Sequence, residues 1–148
     1  MYIFNRAEPE AILIPKGYEG EVIIIFDQKE GAPIKYEGKE RIYEIPDNGV
    51  LVTQFAWTTG FTDRKFYYVS QRERENIEMV RSDYKVEQDG EHREKVGVLD
   101  KRPFYYGCSE DGKDCVFHAD RFIVSRRKNF EQYSVEDKLN QVIEARFE

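Results

Sequence analysis

The side chains best suited to chemistry are Cys108, Cys115 and His118, spaced as Cys-x6-Cys-x2-His. Two thiols and an imidazole are zinc-ligand types. Structural zinc sites, however, use closely spaced ligand pairs and need four ligands. The other histidine, His92, sits far away in a charged stretch. The expectation is therefore no metal and no cofactor. A Cys–His nucleophile oriented by Asp114 or Asp120 is a second arrangement. A reactive thiolate needs an electropositive setting, and Cys115 instead adjoins Asp114 and lies near Glu110 and Asp111.

Paired carboxylates are a third source of chemistry: Glu8/Glu10, Glu73/Glu75 and Asp111/Asp114. A glycosidase-type hydrolase would need two across a cleft, one desolvated enough to keep its proton. Acids in polar loops are ordinarily just solvated. No Gly-x-Ser-x-Gly elbow, His-Glu-x-x-His helix, phosphate loop or dinucleotide fingerprint occurs. No catalytic residue is assigned, and the chain is expected not to be an enzyme. Aromatic side chains are better candidates for binding. Trp57 precedes a Thr/Gly loop that leads to Phe61, and such a loop can present a ring to a sugar or protein partner; a core tryptophan is the plainer reading. Tyr105 and Tyr106 would lie on opposite faces of a strand, leaving one for contact. These four residues form the expected interaction surface. Arg126-Arg127-Lys128 reads as a solvated strand-to-helix junction rather than a phosphate site.

The elements that must position these residues are mostly strands. Residues 12–14, 21–27, 41–45, 50–55 and 65–70 are β-branched and aromatic runs, and several close on proline–glycine turns. In residues 21–27, Val22, Ile24 and Phe26 point one way and Ile23 and Ile25 the other, as in an interior strand. In residues 41–45, Ile42 faces away from Arg41, Tyr43 and Ile45. Pro46-Asp47-Asn48-Gly49 predicts a hairpin turn with residues 50–55 as its second strand. Residues 71–95 are dense in charge, and an exposed β-ribbon with a mobile tip at 87–91 is expected there. Residues 96–124 return to strands, with Cys108 and Cys115 facing each other across a hairpin mouth. A disulfide is expected first, unbridged structural thiols next. Ser134 would cap a helix over about 134–147, with Val135, Leu139, Val142, Ile143 and Phe147 on one face packed on the β-core. The predicted fold is mainly β: an antiparallel β-sandwich with one C-terminal amphipathic α-helix, a single domain over 1–148.

Composition agrees with that fold and narrows the function. The 148 residues are 40% hydrophobic and 14% aromatic, enough for one packed core. A net charge of −6 argues against nucleic acid, which demands a concentrated basic face. No apolar run approaches the ~18 residues of a membrane span. The start at Met1 shows no basic and apolar leader, which fits a cytoplasmic protein or a mature exported one.

Two stretches resemble a bacterial family of uncharacterised domains. They are Ile14-Pro15-Lys16-Gly17-Tyr18-Glu19-Gly20 with its following strand, and Tyr43-Glu44-Ile45-Pro46-Asp47-Asn48-Gly49-Val50-Leu51-Val52-Thr53, followed by Tyr67-Tyr68-Val69. The resemblance covers about the first half of the chain. It implies a small protein of the periplasm or cell envelope, since many members carry a leader or lipoprotein signal; it implies no activity. The expected function is a non-enzymatic module binding another protein or an envelope component. The alternatives are an immunity-type protein neutralising a toxin and a hydrolase working through carboxylates.

Overall fold

Residues 8–58, 63–81, 83–107, 110, 117–133 and 137–147 are described by the computed structural model. Among them the alternating apolar runs form β1 (Glu10–Pro15), β2 (Gly20–Ile25), β3 (Tyr36–Glu37), β4 (Glu40–Glu44) and β5 (Val50–Val52). They continue as β6 (Arg64–Val69), β7 (Arg74–Ile77), β8 (Val96–Tyr106) and β9 (Phe117–Arg126), and helix α1 (Asp137–Phe147) ends the chain. One sheet has the order β3-β4-β1-β6-β7 and the other β5-β2-β9-β8. Ile12, Ile14, Tyr43, Phe66 and Tyr68 from the first meet Val22, Ile24, Phe26, Leu51 and Phe122 from the second in one buried cluster. Helix α1 lies on the outer face of the second sheet, where Leu139 and Ile143 cover Ile23, Ile25, Phe117 and Ala119.

The sheets are mixed, which corrects the antiparallel expectation. β1 runs parallel to both β4 and β6, and β2 parallel to β5. The cause is the pair of proline turns. Pro46-Asp47-Asn48-Gly49 makes no hairpin: β4 belongs to one sheet and β5 to the other. The turn is an arch, carrying the chain across the interior so that Tyr43 and Ile45 face Leu51 in the core. Residues 15–20 make the same crossing from β1 to β2. Two arches stacked in one orientation bring β1 beside β4 and β2 beside β5, so both pairs must be parallel. Local turn chemistry is as the sequence predicts: Gly49 has φ +81° and the Val50 N–H donates to Asn48 Oδ1 at 3.0 Å.

Helix α1 fastens the arches together. Lys138 Nζ donates to Tyr18 Oη (2.8 Å), the Glu21 carbonyl (2.9 Å) and the Asn48 carbonyl (2.5 Å). Tyr18 Oη donates onward to the Glu21 carbonyl at 2.6 Å, and Tyr68 Oη donates to the Tyr18 carbonyl at 2.5 Å. Burial pushes the Tyr18 hydroxyl up to about 12 and draws the Lys138 amine below its ordinary value.

The described residues of 71–95 form no separate ribbon. β7 pairs antiparallel with β6, Met79 makes an isolated parallel bridge to Val98, and the rest is two short 3-10 turns. Its isolated apolar residues cannot sustain a two-stranded face; among its described residues Ile77 alone is buried.

Candidate functional site

The sheet register builds a row of charge at the end of the sandwich opposite the arches. In β1, Glu10 shares the inward phase of Ile12 and Ile14. Its partners across the sheet are Arg41 on one side and Arg64 on the other. From the opposing sheet Asp120, in phase with Phe122 and Val124, completes the group. Arg64 Nε donates to Glu10 Oε2 at 3.2 Å, and a terminal nitrogen donates to Asp120 Oδ2 at 2.8 Å. Asp100 stands 3.8 Å from the other terminal nitrogen. Arg41 donates to Glu8 (3.2 Å), to the Tyr43 hydroxyl (3.3 Å) and to the Ala56 carbonyl (2.8 Å), and Tyr43 Oη donates to Glu10 Oε1 at 3.4 Å. Both guanidinium groups also lie over rings, Arg41 over Phe55 at 4.7 Å and Arg64 over Phe122 at 5.5 Å.

Glu10 and Asp120 are each only 4% exposed. Burial is the main force raising both carboxyls above their ordinary range, and the Arg64 cation opposes it in each case. The Asp120 charge adds to the rise at Glu10, and Asp100 does so at Asp120. Two desolvated acids with raised pKa values beside a cation are the composition of an acid–base site. Arg64 bridges the two carboxyls, one nitrogen on Glu10 and another on Asp120.

Trp57 borders this network. Its backbone N–H donates to Asp27 Oδ2 at 3.3 Å, its indole N–H bonds the Asp120 carboxylate, and its ring stacks on His118 with centroids 4.5 Å apart. It is half-buried against the core cluster. Tyr105 and Tyr106 occupy the end of β8, opposite His118 and Phe117; Phe61, Cys108 and Cys115 lie outside the described residues, as do Asp111 and Asp114. Asp120, considered as an orienting acid, is bound to Arg64 instead. Glu73 and Glu75 are exposed around β7. Arg127 corrects the solvated-junction reading: it is buried, with Asp89 and Glu78 at 3.4 and 3.5 Å. Among the described residues no group of three or more His, Cys, Asp and Glu side chains is placed to hold a metal ion. No helix among them is long and apolar enough to cross a membrane.

Carboxylate pairing along the sequence brings Glu10 forward only with Glu8 and says nothing of Arg41, Arg64 or Asp120. A usable signal exists: each charge precedes a large core residue by two positions, as Glu10-x-Ile12, Arg41-x-Tyr43, Arg64-x-Phe66 and Asp120-x-Phe122. Four strands that carry a charge in the buried phase at the same depth predict a polar layer.

The sequence matches a family of unknown function, DUF6843, over residues 6–137. The chain belongs to that family. The match runs well beyond the first-half motifs and takes in the charged excursion and the β8–β9 pair. No curated protein matches the chain. Among solved structures, a "Putative Lipoprotein from Bacillus anthracis" aligns over 92% of both chains with a TM-score of 0.63 and 15% identity. At that identity the likeness is one of fold.

Proposed function

We propose that this DUF6843 chain is a non-enzymatic interaction module of the bacterial cell envelope. The observation that supports the non-enzymatic half is Arg64, which ties both buried carboxyls into ion pairs. The envelope half draws support from the fold shared with the protein titled "Putative Lipoprotein from Bacillus anthracis". A net charge of −6 also suits the narrower form of the idea, an immunity-type protein that masks a basic toxin.

A second reading, hydrolysis through Glu10 and Asp120, has the raised carboxyl pKa values in its favour. One experiment separates the two. The purified chain, Glu10→Gln and Asp120→Asn are assayed against glycoside, ester and peptide substrate panels, while the native protein is fractionated and photo-crosslinked in its own host. The interaction role expects no turnover that depends on either acid, recovery with the envelope and a crosslink to a discrete partner. Turnover abolished by both substitutions would overturn it, and so would recovery wholly in the cytosol.

A further inference from the structure

The side-chain ties of the charged excursion after β7 are mostly ion pairs that water and salt can compete for, and its end is held by the Arg127 N–H, which donates to the Lys95 carbonyl at 3.0 Å. No residue of its 3-10 turns, Val86–Gln88 and Gly90–Glu94, is buried. Its acids sit on a basic run where β9 gives way to the turn Arg127–Tyr133: Glu78 and Asp89 on Arg127, and Glu94 on Lys128 at 2.9 Å. The neighbouring Arg126 is paired with Glu19. The contacts to Arg127 are longer than the 2.7–2.9 Å of strong charge-assisted bonds. The Glu78 side chain is itself 77% exposed. One edge-to-face ring pair, Tyr84 on Phe130, adds apolar contact, and a cleft of about 340 Å³ lies between the excursion and Arg127.

The same excursion occupies a strand edge. β8 ends its sheet, and its outer side is met at Val98 by residues 78–80. Two backbone bonds hold them there: the Val80 N–H donates to the Val98 carbonyl at 2.8 Å and the Val98 N–H donates to the Glu78 carbonyl at 3.0 Å. Withdrawal of the excursion would free that edge, uncover Arg127 and part it from its two acids. A replacement strand that covered the edge would bury that cation again, so it must bring a carboxylate as well as a backbone.

We infer that residues 78–81 and 83–95 form a releasable latch over the β8 edge and the basic run Arg126-Arg127-Lys128, and that this surface accepts an extended acidic segment of a protein partner. The inference gives the interaction role above a surface, and its first readout does not depend on that role. Hydrogen–deuterium exchange is measured on the full chain and on E78Q/D89N/E94Q. The variant should exchange the Val80 and Val98 amides at least tenfold faster while β2 exchange is unchanged, and wild type in 1 M NaCl should move the same way. Labelled poly-L-glutamate should bind the variant at least tenfold more tightly than wild type at low salt, and Arg127→Gln in that background should remove the gain. The inference is overturned if those amides exchange only together with β2, in the variant or in salt, or if the poly-L-glutamate gain is absent. Inorganic polyphosphate binding equally well would also overturn it, because that probe has charge but no backbone.

Discussion

Gly49→Ala is the sharpest probe of the stacked arches. Gly49 has φ +81°, where an L-residue costs about 1–2 kcal/mol. Its backbone also lies against the Lys138 junction. A methyl group there would come within 2.0 Å of Tyr18 Oη, 2.6 Å of Lys138 Nζ and 2.7 Å of the Glu21 carbonyl. The two side-chain ends can swing away, but the carbonyl belongs to β2 and cannot. Moving Lys138 forfeits charged hydrogen bonds, worth about 1.5–3 kcal/mol, to the carbonyls that tie the arches. The expected total is about 3–5 kcal/mol, a large share of the ~5–15 kcal/mol stability of an ordinary domain. Gly17→Ala is the control. Its φ of +84° is nearly the same and nothing lies within 4 Å of the added carbon, so only about 1–2 kcal/mol should be lost. Urea unfolding followed by fluorescence should give a midpoint much lower for Gly49→Ala than for Gly17→Ala at equal m-value. In a Tyr18→Phe background the shortest contact disappears, and the Gly49→Ala penalty should shrink by about 1 kcal/mol or more. Equal losses at Gly49 and Gly17 would refute the idea that close packing at the junction, rather than backbone conformation alone, demands glycine.

The other expectations concern the ion row and the helix. Arg64→Met removes the cation shared by two buried acids and should cost about 3–5 kcal/mol by urea unfolding at pH 7; a loss below 1 kcal/mol would mean the acids are adequately solvated without it. Burial raises the Glu10 and Asp120 carboxyls above their unfolded values, so the folded state holds more protons as pH falls toward the ordinary carboxyl range near 4. Their contribution is fully present below that range and is lost as pH rises through the raised values. The stability of wild type minus that of E10Q/D120N should therefore increase between pH 7 and pH 5, and a decrease would reverse the sign of the argument. Leu139→Ala or Ile143→Ala opens the seam between α1 and β2–β9 and should each cost about 2–4 kcal/mol, read from thermal and urea midpoints.

What the sequence makes legible here is the phase of each strand. The two apolar faces of residues 21–27 describe β2, which lies between β5 and β9, with Val22, Ile24 and Phe26 in the inter-sheet core and Ile23 and Ile25 under the helix. The single inward face of β4 and the buried Leu139 and Ile143 of α1 read just as directly. Strand pairing does not. A Pro-Asp-Asn-Gly turn satisfies its φ preferences in a hairpin or an arch alike, because Asn48 and Gly49 specify a reversal and not the sheet the chain re-enters. That choice depends on non-local contacts, above all on whether Tyr43 and Ile45 need an opposing surface. The excursion fails for the complementary reason: scattered residues such as Val80 and Tyr84 lack the period that would betray either strand or helix.

The ion row supplies a reason for the register that apolar residues alone leave weakly determined. β1 is buried on both faces, with Ile12 and Ile14 inward and Ala11 and Leu13 outward against Ile42. Slipping β1 by one residue against β4 and β6 would exchange two apolar sets and cost little in burial. It would also replace Glu10 with Ala11 between Arg41 and Arg64 and turn the acid outward. Arg64 would then keep Asp120 and Asp100 from the other sheet, while Arg41 would lose the Tyr43–Glu10 link that joins it to the row. The penalty falls on the slipped state, since buried guanidinium groups cannot exchange a carboxylate for a methyl group without desolvation cost. Glu10 thus discriminates between registers that hydrophobicity barely separates. That role gives a physical reason for a buried acid at a position where a leucine would pack.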